Sequence, residues 1–140
     1  MGLSNVLDPS KITQFHALSS QYLVEAPTDS EGCFLLNPWE FVLGITREMV
    51  ELPRESRIAA RVEGRSTLAR VGLMIHLTAP TIHLGWSGHI ALEILNVGPW
   101  PLTLRPDELS ICQLIFERVG EPGNDGRDSQ FQGQTSPGGA

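Results

Sequence analysis

The chain has 140 residues, 41 % of them hydrophobic and 19 % charged, which is enough for one domain with a real core and too few for two. Asp and Glu number 16 against 10 Lys and Arg, and the formal net charge of −6 argues against a nucleic-acid polymer as partner, because phosphate-backbone binding needs surplus cations. No apolar run approaches the roughly 20 residues of a membrane-spanning helix, and the N-terminus lacks a basic region followed by an apolar one, so a cytoplasmic protein is expected.

In chain order, the first 30 residues show no decisive period, and 15–25 fits helix or strand. Phe34-Leu35-Leu36 is then a short apolar run ended by Asn37-Pro38. Phe41-Val42-Leu43-Gly44-Ile45 opens a longer unit that Val50-Glu51-Leu52-Pro53 closes. Residues 57–62 alternate and stop at Gly64. Ser66 can cap a short helix that Leu68-Ala69-Arg70 continues and Gly72 ends. Residues 73–77 form a continuous apolar run, 90–95 a strand, 102–104 a short strand before a Pro106 turn, and 109–116 the last strand. Strands at this spacing, punctuated by Gly and Pro, predict an all-β fold, a sandwich or barrel with one short helix. From residue 117 the chain turns polar and rich in Gly, Gln, Ser and Pro, with Phe131 its one large apolar residue, and a mobile tail is expected.

The basic residues are unevenly placed. Arg54, Arg57, Arg61, Arg65 and Arg70 are five of the ten, a cluster that in an acidic protein suits a small anionic ligand. Arg65, Ser66 and Arg70 at a helix start could cradle a phosphate, or form a capped surface turn. Period two in His89-Ile90-Ala91-Leu92-Glu93-Ile94-Leu95 puts His89, Ala91, Glu93 and Leu95 on one face. If that face is inside, Glu93 suits a general base; if it is outside, Glu93 is an ordinary surface acid. His76 lies in an apolar run, where a hydrogen-bonded core histidine is the commoner outcome. The spacing His76-x6-His83-x5-His89 fits no common zinc site, so no protein-bound metal is expected. Cys33 and Cys112 show neither metal spacing nor a disulfide framework and read as small strand residues.

Taken in order, these segments resemble the deoxycytidine triphosphate deaminase family. The resemblance rests on Phe41-Val42-Leu43-Gly44-Ile45-Thr46-Arg47-Glu48, on Glu63-Gly64-Arg65-Ser66-Thr67-Leu68-Ala69-Arg70-Val71-Gly72-Leu73, and on His76-Leu77-Thr78-Ala79. It continues through Gly85-Trp86-Ser87-Gly88 and Leu92-Glu93 with Asn96, and ends in Ile111-Cys112-Gln113-Leu114-Ile115-Phe116-Glu117. It is strongest over 34–119 and implies a domain spanning 1–119 with a flexible tail, 120–140. It also implies the distorted β-barrel or jelly-roll fold of the dUTPase-like superfamily, trimerisation, and active sites at subunit interfaces. By resemblance Glu93 is the general base, with Ser66, Arg70 and His76 beside it. Arg65, Ser66, Thr78, Ala79, His83, Gln113, Gln130, Phe131 and Gln134 face the nucleotide. Mg²⁺ would arrive on the triphosphate.

The chain departs from the family pattern in three places. The family's N-terminal helix and an Asp-Leu-Arg-like strand have no counterpart, so a shortened relative or a fragment is expected. His83 stands where the family has Asp, and Gln130 where its tail has lysine. Three readings follow: a deaminase acting on dCTP or a related cytosine nucleotide, a non-catalytic nucleotide-binding paralogue, and a dUTP diphosphatase.

Overall fold

A computed structural model of the chain describes residues 23–106, 108–120, 129 and 131–137. Most of the ambiguous stretch 15–25, and Gln130, lie outside the described residues. Among the described residues eight strands run in the order β1 (Phe34–Leu36), β2 (Phe41–Glu51), β3 (Ile58–Gly64), β4 (Leu73–Met74), β5 (Thr81–Ile82), β6 (Ser87–Asn96), β7 (Leu102–Leu104) and β8 (Cys112–Arg118). A 3₁₀ turn, Arg54–Ser56, follows β2, and the helix α1, Ser66–Ala69, follows β3. The fold is all-β, as the turn spacing predicts.

All strand pairs are antiparallel. One sheet has the order β2-β6-β4, a second β5-β3-β8, and β1 pairs with β7. The core lies between these layers. On β6 the even positions Ile90, Leu92 and Ile94 are buried, and they pack with Leu36, Val62 and Leu73 from the other strands. Each such side chain taken from water stabilises the fold by about 1.5–3 kcal/mol. Asn96 ends the buried row and is completely enclosed, yet it is fully satisfied: its Nδ2 donates to Leu36 O (3.1 Å) and Trp100 O (2.8 Å), and its Oδ1 accepts from Gly98 N (2.9 Å).

The β2–β6 register shifts between Ile45 and Met49. A bulge removes ladder bonds, and here side chains replace them. Thr46 Oγ1 accepts the Ile90 N–H (2.9 Å) and donates to Glu48 O (2.8 Å). Thr46 O lies 2.9 Å from His89 Nδ1; a carbonyl can only accept, so Nδ1 carries the proton.

Three expectations are corrected, and part of the tail is located. The apolar run 73–77 is strand only at Leu73–Met74; Ile75 stays buried but the chain turns, because an apolar run reports burial and not pairing. The last strand begins at Cys112 and continues to Arg118, the span over which β3 supplies partners. Ser66 is the first helical residue, not the cap: Arg65 holds the N-cap position at φ −96, ψ 130, and its carbonyl takes the Leu68 and Ala69 N–H groups. Finally, the described part of the tail is docked. Gly133 N donates to Ser87 O (2.8 Å), His89 N to Gln134 O (3.3 Å), and Gln134 Nε2 to His89 O (2.9 Å). A tail with little apolar surface is held by pairing with a strand edge.

Candidate functional site

Glu93 sits on β6 opposite Leu43 of β2. It lies on the half-covered face with His89, Ala91 and Leu95, so the period-two grouping holds and the buried face is the other one. Glu93 lines a cavity of about 940 Å³. Other segments of the chain contribute to its lining. The stretch after β4 brings His76 and Ala79, the turn before β6 brings His83 and Trp86, and the tail brings Phe131 and Gln134. Backbone and indole hydrogen bonds fix these walls. Gly85, at φ +86, is held by its N–H to Leu52 O (2.6 Å), and Leu52 N donates back to Trp86 O (2.8 Å). Trp86 Nε1 donates to Gly88 O (3.2 Å), fixing the indole along the start of β6.

The edge of β6 adds a recognition surface. His89 turns its N–H and C=O toward the tail, and β4 pairs at Leu95 and Asn96. Strand alternation sends the backbone groups of Ala91 and Glu93 to the same side as those of His89. Among the described residues no strand pairs with that stretch, and both residues line the cavity. A planar heterocycle with donors and acceptors along one edge can pair with such a strand edge. His76 Nδ1 is a buried nitrogen that finds no hydrogen-bond partner among the described residues. A buried polar atom left unpaired is rare and costly, so a group entering the cavity can satisfy it.

The sequence-derived residues divide into two sets. Glu93, His76, Ala79, His83, Phe131 and Gln134 line this one cavity. Arg65, Ser66 and Arg70 are exposed at α1 and do not line it. Arg65 Nη1 donates instead to Ser110 O (3.0 Å), tying α1 to the loop before β8. Thr78 is exposed beside Ala79. Gln113 is exposed on β8 and lines a separate cavity of about 870 Å³ between β2 and β8. Sequence reasoning placed Arg54 in a basic cluster suited to an anion and Trp86 in a motif, but assigned neither to the Glu93 cavity. Only the fold brings residues 54 and 85 together.

Neither cysteine is poised for chemistry. Burial pushes the Cys33 thiol up against the opposing effect of Arg105, whose Nη1 lies 3.2 Å from Sγ. Cys112 is likewise pushed up by burial. Among the described residues no group of three His, Cys, Asp or Glu is arranged to hold a metal ion.

Residues 4–119 match the dCTP deaminase-like family. The dCTP deaminase, dUMP-forming, of Methanosphaera stadtmanae is 40 % identical over 136 residues, covering 94 % of this chain and 66 % of that protein. The dCTP deaminase, dUMP-forming, of Mycobacterium avium is 45 % identical over 136 residues, with 94 % and 67 % covered. The dCTP deaminase of Rhodospirillum rubrum is 52 % identical over 89 residues, covering 64 % of this chain and 44 % of that protein. The chain thus spans 66 % of the length of the first relative and 44 % of the last. Among solved structures, EIAV dUTPase in its native form superposes with a TM-score of 0.53 at 20 % identity, covering 74 % of this chain and 82 % of that one. That likeness is one of fold, and it agrees with the dUTPase-like architecture.

Proposed function

The chain belongs to the dCTP deaminase-like family, and from that premise we propose that it hydrolyses the 4-amino group of a cytosine nucleotide, dCTP first, with Glu93 as general base. The observation that carries the reading is the position of Glu93 on the wall of a nucleotide-sized cavity, at a strand edge that no described strand pairs with and with the tail across it. Glu93 takes a proton from water, and the water oxygen adds to C4 of the ring. The proton passes to the 4-amino nitrogen, the C4–N bond breaks, and ammonia and the uracil nucleotide result. The edge of β6 with Ala79 reads the base, and His76 Nδ1 gains the partner it lacks. Phe131 and Gln134 exclude water as part of a closing tail. Mg²⁺ enters as a counter-ion of the triphosphate.

A second copy of the chain completes the site on this reading. Arg65, Ser66 and Arg70 stand outside the Glu93 cavity, and on the Glu93 side of the sheet Leu95 is flanked in register by Phe41 and Met74, 49 % and 38 % exposed. An apolar face carrying one carboxylate is suited to burial against another subunit. A homotrimer with sites between subunits, in the cytoplasm, is the proposed state.

Following ammonia and pyrophosphate release from dCTP, CTP, dCMP and dUTP with Mg²⁺ tests the reaction. Ammonia from dCTP is expected, reduced about 10²–10⁴-fold in Glu93→Gln. Undiminished ammonia release in that variant would end the general-base role. Saturable dCTP binding without either product would favour the non-catalytic reading. Because relatives carry the name dUMP-forming, pyrophosphate from dCTP is the informative second product. Pyrophosphate without ammonia would instead favour the diphosphatase reading, and it would require a substitute for the family's Asp at His83.

A further inference from the structure

Arg54 opens the 3₁₀ turn after β2 and lines the Glu93 cavity. Its side chain lies across Gly85: a Cβ built there would come within 3.0 Å of Arg54 Cγ and Nε and 3.2 Å of Cζ. Gly85 N is bonded to Leu52 O (2.6 Å), and its carbonyl accepts Gln132 Nε2 from the tail (3.0 Å). The guanidinium stem is therefore stacked on the turn that joins the end of β2 to the tail. Among the described residues of this wall the ionisable side chains are Arg54, His76, His83 and Glu93. Arg54 supplies the guanidinium among these. A carboxylate and a guanidinium lining one cavity make a charge pattern suited to a neutral ring that carries an anion.

We propose that Arg54 binds a phosphate of the nucleotide and is the guanidinium contributed by the subunit that also contributes Glu93. This rests on the cytosine-nucleotide reading above. Its fork offers paired N–H donors to phosphate oxygens, and the absence of a Cβ at Gly85 is what lets the stem lie flat. Selectivity for phosphorylated over unphosphorylated ligand then depends on this residue as well as on the Arg65–Arg70 segment.

Titration calorimetry with deoxycytidine, dCMP, dCTP and inorganic tripolyphosphate, in a Glu93→Gln background to prevent turnover, tests the assignment. Arg54→Gln is expected to weaken dCTP binding about tenfold or more while deoxycytidine stays within about twofold, with Arg54→Lys between. The melting temperature of each variant is compared with that of the parent. Equal losses for deoxycytidine and dCTP would overturn the proposal, as would unchanged dCTP affinity in a folded Arg54→Gln. If the parent binds no cytosine ligand, the deaminase reading itself fails, and tripolyphosphate decides about Arg54 alone. Tripolyphosphate binding lost in Arg54→Gln upholds the anion site; binding retained, or absent from the parent, removes it.

Discussion

At the scale of single residues, Asn96 shows how a polar side chain can organise an apolar core. It joins the end of β6 to β1 through Leu36 O and to the 97–100 turn through Gly98 N and Trp100 O. Asn96→Ala is expected to cost about 2–4 kcal/mol, since it strands buried acceptors and one donor. Urea unfolding with an unchanged m-value measures this. Asn96→Asp places a carboxylate against two carbonyl acceptors, which raises its folded pKa above the unfolded value. Its deficit is therefore smaller below the ordinary carboxylate range and grows as pH rises through the folded pKa. The sequence pattern puts Asn96 in phase with Ile90, Leu92 and Ile94 but leaves open which face is buried, and its three partners depend on chain crossings that no local pattern encodes. Cys33 gives a second residue-scale expectation. Buried and held protonated beside Arg105, it should react with a disulfide reagent at neutral pH only as fast as the chain unfolds. Rapid labelling of Cys33 in the native protein would contradict that environment.

At the scale of elements, two backbone crossings position α1 and the tail beside the Glu93 cavity. Gly72, at φ +94, ends the turn after α1, and its carbonyl accepts Val97 N (2.8 Å). A Cβ on Gly72 would strike the backbone of Gly98, and one on Gly98 would strike the Val71 carbonyl oxygen. The two turns approach as closely as backbones can, which fixes α1 relative to the end of β6. Gly98→Ala is expected to destabilise the fold by about 2 kcal/mol or more and to shift α1, read as a lowered urea midpoint together with displaced Ser66 and Arg70 amide resonances. The second crossing is the tail on β6. Gln134→Ala removes the amide bond to His89 O, and amide exchange at Gly133 and His89 is expected to speed up about tenfold. Unchanged exchange would mean that backbone pairing alone holds the tail. The strands were legible as elements because period and punctuation report them directly. The docking of the tail was not: its composition reads as mobile, and the few bonds that hold it run to a strand edge more than 40 residues away in sequence.

At the scale of the whole molecule, the sequence-derived site residues of the chain do not share one cavity. Glu93 faces the cavity under the tail, and Ser66 and Arg70 stand exposed at α1. In a symmetric oligomer with head-to-tail interfaces, one surface of each subunit meets the other surface of the next. On that reading each working site takes Glu93 from one subunit and Arg70 from its neighbour. Glu93→Gln and Arg70→Ala proteins, each inactive alone, should then regain activity when unfolded and refolded together. A site between subunits is intact only if its Glu93 comes from an Arg70→Ala chain and its Arg70 from a Glu93→Gln chain. Random equimolar assembly makes about a quarter of the sites intact, so ammonia release near a quarter of the parental rate is the expected outcome. Recovery should depend on mixing before assembly, because preformed oligomers mixed afterwards hold no hybrid interface. If both residues serve a site within one subunit, co-refolding restores nothing, and the exposed α1 arginines must reach Glu93 by a rearrangement of the same chain.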